Sequence, residues 1–319
     1  MAHELTTHAD GRVEFAYRTT DGSPWHSLGQ QMADDASIDQ WREAAGMDWK
    51  IQRSVVRYNV ERGAEADGSG FLTIADKHVL FRNDTKAALG VVSDGYQVVQ
   101  PGEVLEFFRD IAHTGGLELS AAGTIFGGKR FWATAKIGDA SPLGLQDKVG
   151  GYLLISTSAD GSLSTEVRRT TVRVVCNNTL QMARADKACV KITHRSEFNP
   201  ATVKAFMGLN DTAWSTFKQD MVRMANTPVT FDTAERVLTE LFKTPETAGY
   251  KKVLDLFAGA GIGSQLDGSQ GTAWGLINAV TEYADRHVRA RNDANRFVSS
   301  QWGPGAALKT QALNLLLPA

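Results

Sequence analysis

The sequence lacks most of the markers that announce a particular chemistry. It has two cysteines, Cys176 and Cys189. They are not spaced like a metal-binding pair, and in a reducing compartment both read as small apolar residues. Its seven histidines form no HExxH or similarly spaced ligand set, so no metal and no other cofactor is expected. No Gly-x-Ser-x-Gly elbow marks a serine nucleophile. No apolar run approaches the roughly 18 residues of a membrane span, and the first residues carry no apolar signal core. A soluble, cytoplasmic protein with no membrane partner is the expectation. Neither sign of charge dominates: 34 Lys and Arg stand against 36 Asp and Glu, a net charge of −2. That balance argues against a protein basic all over.

What is present is an ordinary globular composition, 42% hydrophobic and 22% charged. A chain of 319 residues is expected to form about one to three domains. The charge is unevenly placed. From Ser120 to Arg195 there are 11 Lys and Arg against 5 Asp and Glu, a net +6, which leaves −8 for the remainder. One contiguous segment is basic in an otherwise acidic chain, by chance patchiness or by function.

The pattern of apolar residues predicts an α+β fold: a central antiparallel sheet of hairpins flanked by helices, a strand-rich N-terminal part and a helical C-terminal part. Residues 1–23 read as a flexible polar tail and 24–89 as the strand-rich region. A core follows over 90–225 and a helical region over 226–319. Ile38 to Ala45 is a short helix and Asp48 to Val60 alternates as strands do. Asp94-Gly95 is a turn, and Pro101 to His113 has helical spacing with Pro near its start and Gly115 beyond its end. Strands are predicted over Leu117–Phe126, Arg130–Ile137, Gly151–Thr157 and Ser164–Cys176. Gly127-Gly128 and Asp160-Gly161 between them are hairpin signals, because glycine takes up positive φ cheaply. Asn177 and Asn178 then predict the start of a helix. Asp232 and Glu235 resemble a capping box for a later one.

Two glycine motifs imitate enzyme signatures. Gly123 to Arg130 reads GTIFGGKR, one residue short of a P-loop, with Arg130 where a Mg²⁺-binding hydroxyl belongs. The residues after it favour a strand over a helix, so a hairpin turn is expected. Val253 to Ser264 reads VLDLFAGAGIGS. It resembles the strand and glycine loop with which methyltransferases hold S-adenosylmethionine. The Pro-Cys and Asn/Asp-Pro-Pro-aromatic signatures of such enzymes are absent, so methyl transfer is kept as the alternative to a protein that performs no bond chemistry.

The period of two in a strand sorts the side chains after the glycine turn. Phe131, Ala133, Ala135 and Ile137 share an apolar face. Arg130, Trp132, Thr134 and Lys136 share the other, where two cations flank an indole. Cations that meet phosphates and rings that stack on bases suit single-stranded nucleic acid. A half-solvated sheet, or one covered by another subunit, gives the same pattern. The candidate contacts are Lys129, Arg130, Trp132, Lys136, Arg168, Arg169, Arg173, His194 and Arg195. Asn177 and Asn178 are either contacts or local caps.

Several segments together resemble one family. They are PWHSLG at Pro24–Gly29, LGVVSDGYQVVQP at Leu89–Pro101, GGKRFWATAKI at Gly127–Ile137, DGS at Asp160–Ser162, VRVVCNNTL at Val172–Leu180, ITHR at Ile192–Arg195 and GTAWGLINAVTEYADRH at Gly271–His287. The chain is similar there to the phage/plasmid-like proteins, a domain-of-unknown-function family. That resemblance implies a mobile-element origin in a bacterial host cell. The order helix, hairpin, hairpin, helix is also similar to the core of ring-forming phage single-strand annealing recombinases. This second likeness implies a protein that binds and anneals single-stranded DNA in homologous recombination and DNA repair. It also implies a homo-oligomeric ring or filament, with a phage exonuclease or single-strand-binding protein as a further partner. A structural or host-interaction phage protein is the other alternative.

Overall fold

A computed structural model describes residues 5–18, 28–60, 70–115, 117–140, 148–173, 178–181, 189–196, 211–266 and 268–317. The fold is α+β, strand-rich in its N-terminal half and helical in its C-terminal half. The main sheet is built from β1 (Phe15–Arg18), β2 (Gln30–Met32), β6 (Glu118–Ile125), β7 (Arg130–Ala140), β8 (Val149–Ser158), β9 (Thr165–Arg173), β10 (Asn178–Gln181) and β11 (Cys189–Ile192). Their order is β10-β9-β8-β7-β6-β1-β2, and β11 pairs with the other half of β9. Every pair is antiparallel except β1 with β2. A second sheet, β3-β4-β5, joins Ile51–Asn59, Phe71–Arg82 and Ala88–Ser93.

The hairpins form where the glycines predict them. Phe126, Gly127 and Gly128 all have positive φ in the β6–β7 turn, so GTIFGGKR runs from strand into strand and is no P-loop. Gly161 has a φ of 73° in the β8–β9 turn, which the Asp160 carboxylate closes by accepting from the Ser162 amide at 2.9 Å. Helix α1 (Ile38–Ala44) starts at a complete capping box formed by Ser37 and Gln40. Helix α2 (Pro101–Gly115) begins at the predicted proline.

These elements bury two faces of the main sheet. One face carries Ala16, Ala122, Phe131, Ala133, Ala135, Leu153, Ile155 and Val167. It packs against Trp41 of α1, Leu105 and Phe108 of α2, and Leu80, Leu89 and Val92 of the small sheet. Complete burial of Phe131 stabilises the fold by about 2–3 kcal/mol. The other face carries Phe15, Tyr17, Ile125, Trp132 and Leu154. The C-terminal helices are α3 (Asp211–Ala225), α4 (Phe231–Phe242), α5 (Ala248–Asp255), α6 (Ala273–Glu282), α7 (Asp293–Trp302) and α8 (Pro304–Leu316); all but α7 contribute to a third apolar cluster, which meets the sheet at Val149 and Ile137.

Three local expectations are corrected. Residues 13–18 fall in the stretch expected as a loose tail, yet β1 lies within the main sheet and Phe15 and Ala16 are fully buried. A four-residue strand among polar neighbours is too short to show a period. No helix starts at Asn178. Residues 178–181 form β10 on β9, with Asn178 opposite Arg173 and Leu180 opposite Thr171, because pairing along a sheet edge overrides the local capping preference. Thr230, rather than Asp232, caps α4, its hydroxyl accepting from the Thr233 amide at 3.2 Å.

Among the described residues no helix is long and apolar enough to cross a membrane.

Candidate nucleic-acid interface

Strand β7 splits as its alternation predicts. Phe131, Ala133 and Ala135 are buried on the α1/α2 side. Arg130, Trp132, Thr134 and Lys136 therefore face the other way. Register extends this second face across the sheet: Arg130 lies opposite Ser158, Trp132 opposite Ser156 and Thr134 opposite Leu154. Leu154 in turn lies opposite Arg168 of β9, and Ser156 opposite Glu166. Arg130, Trp132, Lys136 and Arg168 thus share one face. Arg169 has the opposite parity and lies on the α1/α2 side of β9, with Leu153 opposite it.

The second face is not open. Helix α7 lies over it and adds Phe297 and Trp302 to the apolar cluster of Phe15, Trp132 and Leu154. The Trp302 indole N–H donates to Ser156 Oγ at 3.1 Å. The Arg168 guanidinium donates from Nη1 to the Gln301 carbonyl at 2.6 Å and also pairs with the Glu166 carboxylate. Its carbon Cζ stands 5.9 Å from the centre of the Trp302 ring. Arg130 Cζ stands 5.2 Å from the centre of the same ring and 5.7 Å from that of Phe126. Arg130 donates from Nε and Nη2 to Ser162 Oγ at 3.2 and 3.0 Å. Arg130 Nη1 and Arg168 Nε are both shielded from solvent and meet no acceptor among the described residues. Burial pushes the Arg130 guanidinium down, against the opposing pull of Asp160 and Glu166.

The remaining candidates scatter around this centre. Lys129 is exposed at the β6–β7 turn. Lys136 is half-buried and pairs with Asp139 at 2.9 Å. Trp132 is only 7% exposed and stands 5.8 Å from the Phe15 ring. Arg169 is buried, and desolvation brings its guanidinium down to about 10, which leaves it charged at neutral pH. His194 is tied down locally. Its Nδ1 and Nε2 lie 3.0 Å from the carbonyls of Gln97 and Leu163, and its ring stacks on Tyr96 at 4.4 Å. Arg195 is exposed beside it. Arg173 and Asn178 lie in β9 and β10, and Asn177 falls outside the described residues.

Sequence reasoning missed Trp302, Phe297, Glu166 and Lys191. Lys191 of β11 reaches the Glu166 carboxylate at 3.1 Å. Trp302 stands 146 positions from the serine it bonds, so no local pattern ties it to the face. Its place before Gly303-Pro304, a helix stop, was the one available hint.

Elsewhere the methyltransferase-like segment has a different structure. Val253 to Asp255 are helical, in α5, and continue into a π-helical turn over Leu256–Ala260. The strand that would lead into a cofactor-binding glycine loop is not there. The Ile262 amide instead donates to the buried Glu282 carboxylate at 2.9 Å. Cys189 is half-buried and unpaired, and burial pushes its thiol up to about 11, so it is a poor nucleophile. Among the described residues no three His, Cys, Asp or Glu side chains gather as a metal site would require.

A family model described as a domain of unknown function, DUF932, matches residues 88–302. The chain belongs to the DUF932 family. The DUF932 match takes in β5, α2, the strands β6–β11 and helices α3 to α7, and therefore both the basic face and the helix that lies over it. This bears out membership of an uncharacterised family. No curated protein and no solved structure matches the chain, and neither comparison links it to annealing recombinases.

Proposed function

We propose that this protein binds single-stranded DNA on the β7–β8–β9 face and anneals it to a complementary strand, without bond chemistry, in recombination of a phage or other mobile element. One observation carries the reading. Arg130 and Arg168, from two different strands, converge on a single aromatic ring at 5.2 and 5.9 Å, and each keeps a guanidinium nitrogen that meets no acceptor among the described residues. Guanidinium donors in excess, beside aromatic faces, are the chemistry that meets phosphates and unstacked bases. Lys129, Arg130, Lys136 and Arg168 serve as the phosphate contacts, Trp132 and Phe126 as the stacking rings, and Arg195 as a cation at the rim. Arg169 lies on the buried opposite face and is left out of the groove.

Assembly into a ring or filament belongs to the same reading. The two ends of the main sheet are short strands of 3 and 4 residues, which discourages edge-to-edge pairing there. The β3–β4 ribbon is the better contact between copies. Its register places Val56, Tyr58, Leu72 and Ile74 on one face, with Tyr58 47% exposed. Val91 of β5 continues that face and is 57% exposed.

The test is the affinity of a fluorescent single-stranded oligonucleotide over a range of salt. Binding that weakens steeply with salt is expected, with a shallower slope for the Arg130→Ala/Lys136→Ala variant because two phosphate contacts are gone. A variant slope equal to that of the unmodified protein removes this face from the reading.

A further inference from the structure

Resting on the single-strand reading above, we propose that helix α7 is an internal occupant of the DNA-binding face, which single-stranded DNA must displace.

What α7 places on the sheet resembles the parts of a nucleotide. The Trp302 indole supplies a flat ring within reach of two guanidiniums, as a base would. The Gln301 carbonyl accepts from Arg168, as a phosphate oxygen would. The carbonyl end of a helix also carries partial negative charge, and here it points at a cation that is only 5% exposed.

The substitute is incomplete. One carbonyl oxygen does not satisfy the donors of two guanidiniums, and Arg130 Nη1 and Arg168 Nε meet no acceptor among the described residues although shielded from solvent. A buried donor left unpaired carries an uncompensated desolvation penalty. A phosphodiester brings two charged oxygens to the same place and fills what α7 leaves open.

The helix is also lightly anchored. Of its ten residues only Ser300 is fully buried. Its first turn is held by the Asn292 cap, at 2.8 Å from the Asn295 amide, and by Arg296, which donates to the Val288 carbonyl at 3.0 Å. Its last turn meets the sheet through Trp302, Phe297 and Gln301 and the start of α8 through Ser299, whose Oγ accepts from the Gly305 amide at 3.1 Å. Elements with little buried surface open locally at a fraction of the cost of global unfolding. A ligand that binds only the open form has its affinity reduced by the fraction of molecules that are open.

The experiment compares the full chain with Trp302→Ala, using a fluorescent oligothymidylate, and follows amide hydrogen exchange over residues 293–302 with and without the oligonucleotide. Removing the indole loosens the occupant, so Trp302→Ala is expected to bind about tenfold more tightly. In the unmodified protein, exchange over 293–302 is expected to speed up by about tenfold or more when DNA is bound. The exchange measurement needs no substitution, so it decides even where Trp302→Ala fails to fold. Binding with α7 equally or better protected overturns the proposal and leaves the single-strand reading in place. Weaker binding by a folded Trp302→Ala overturns it too, because the indole is then part of the site. No binding by either form at low salt overturns the single-strand reading itself, and this proposal with it.

Discussion

Glu14 and Arg82, 68 positions apart in sequence, meet as a bidentate ion pair inside the protein, at 2.8 and 3.2 Å. Their side chains are 1% and 3% exposed. The pair joins the strand entering β1 to the end of β4. Thr124 of β6 and His8 also bond the Glu14 carboxylate, and the Arg82 guanidinium lies 4.2 Å over the Trp49 ring. Every polar atom of Glu14 is thereby satisfied, which is the condition for a charge to sit in a core. Burial alone would lower the Arg82 pKa, but the hydrogen bonds and charges of Asp84 and Glu14 outweigh it and raise it. Removing one partner strands the other. Glu14→Gln and Arg82→Met should each destabilise by about 3–5 kcal/mol, and the double variant should cost much less than their sum. Urea unfolding of the four proteins checks this, and additive losses would contradict it.

The same guanidinium holds the Asp84 carboxylate at 3.0 and 2.7 Å and lowers its pKa from 3.8 to about 2. A carboxyl whose pKa falls on folding adds stability that is present above its unfolded pKa and is lost as pH drops through the folded one. Stability from this contact should therefore be constant near neutrality and fall between about pH 4 and pH 2. Asp84→Asn should be less stable than the unmodified protein at pH 7 and lose less on acidification over that window. Parallel pH profiles for the two proteins would show that Asp84 is not the titrating group.

Gly127 and Gly128 form one turn but carry different constraints. Gly127 has a φ of 70° with nothing within 4 Å of an added Cβ. Gly128 has a φ of 90°, and a Cβ there would lie 2.7 Å from Trp49 Cζ2 and 3.0 Å from Arg82 Nη1. Gly127→Ala should cost about 1 kcal/mol of backbone strain, whereas Gly128→Ala should cost about 3 kcal/mol because it also displaces packed groups. Thermal unfolding of both variants separates the two effects, and equal losses would mean that the Trp49 contact yields freely.

These cases mark how far the sequence could be read. The β6–β7 and β8–β9 hairpins, α1 and α2 were legible because their signals are local: Gly127-Gly128, Asp160-Gly161, the short stretch Ile38 to Ala45, and Pro101. Strand β1 was hidden because four residues show no period and Glu14, a buried anion, reads as surface. Strand β10 was hidden because Asn178 caps well in isolation and pairs with β9 only in the fold. Within the site, the alternation of Arg130, Trp132 and Lys136 was plain. The burial of that face by Trp302 was not, since Arg168 and Gln301 are 133 positions apart.

The β3–β4 ribbon gives an independent prediction. Tyr58 and Ile74 of the ribbon and Val91 of β5 beside it are exposed on one face of the small sheet. If copies of the chain associate there, Val91→Glu should shift sedimentation from an oligomer toward the monomer while the circular dichroism spectrum stays the same. An oligomer untouched by the substitution would place the contact elsewhere.

The most direct test follows a fluorescent single strand with the protein present and then adds its complement. Single-strand annealing predicts binding that weakens by orders of magnitude between about 50 and 200 mM salt, and duplex formation faster with protein than without. No binding at the lower salt, or binding with no acceleration of pairing, would contradict it.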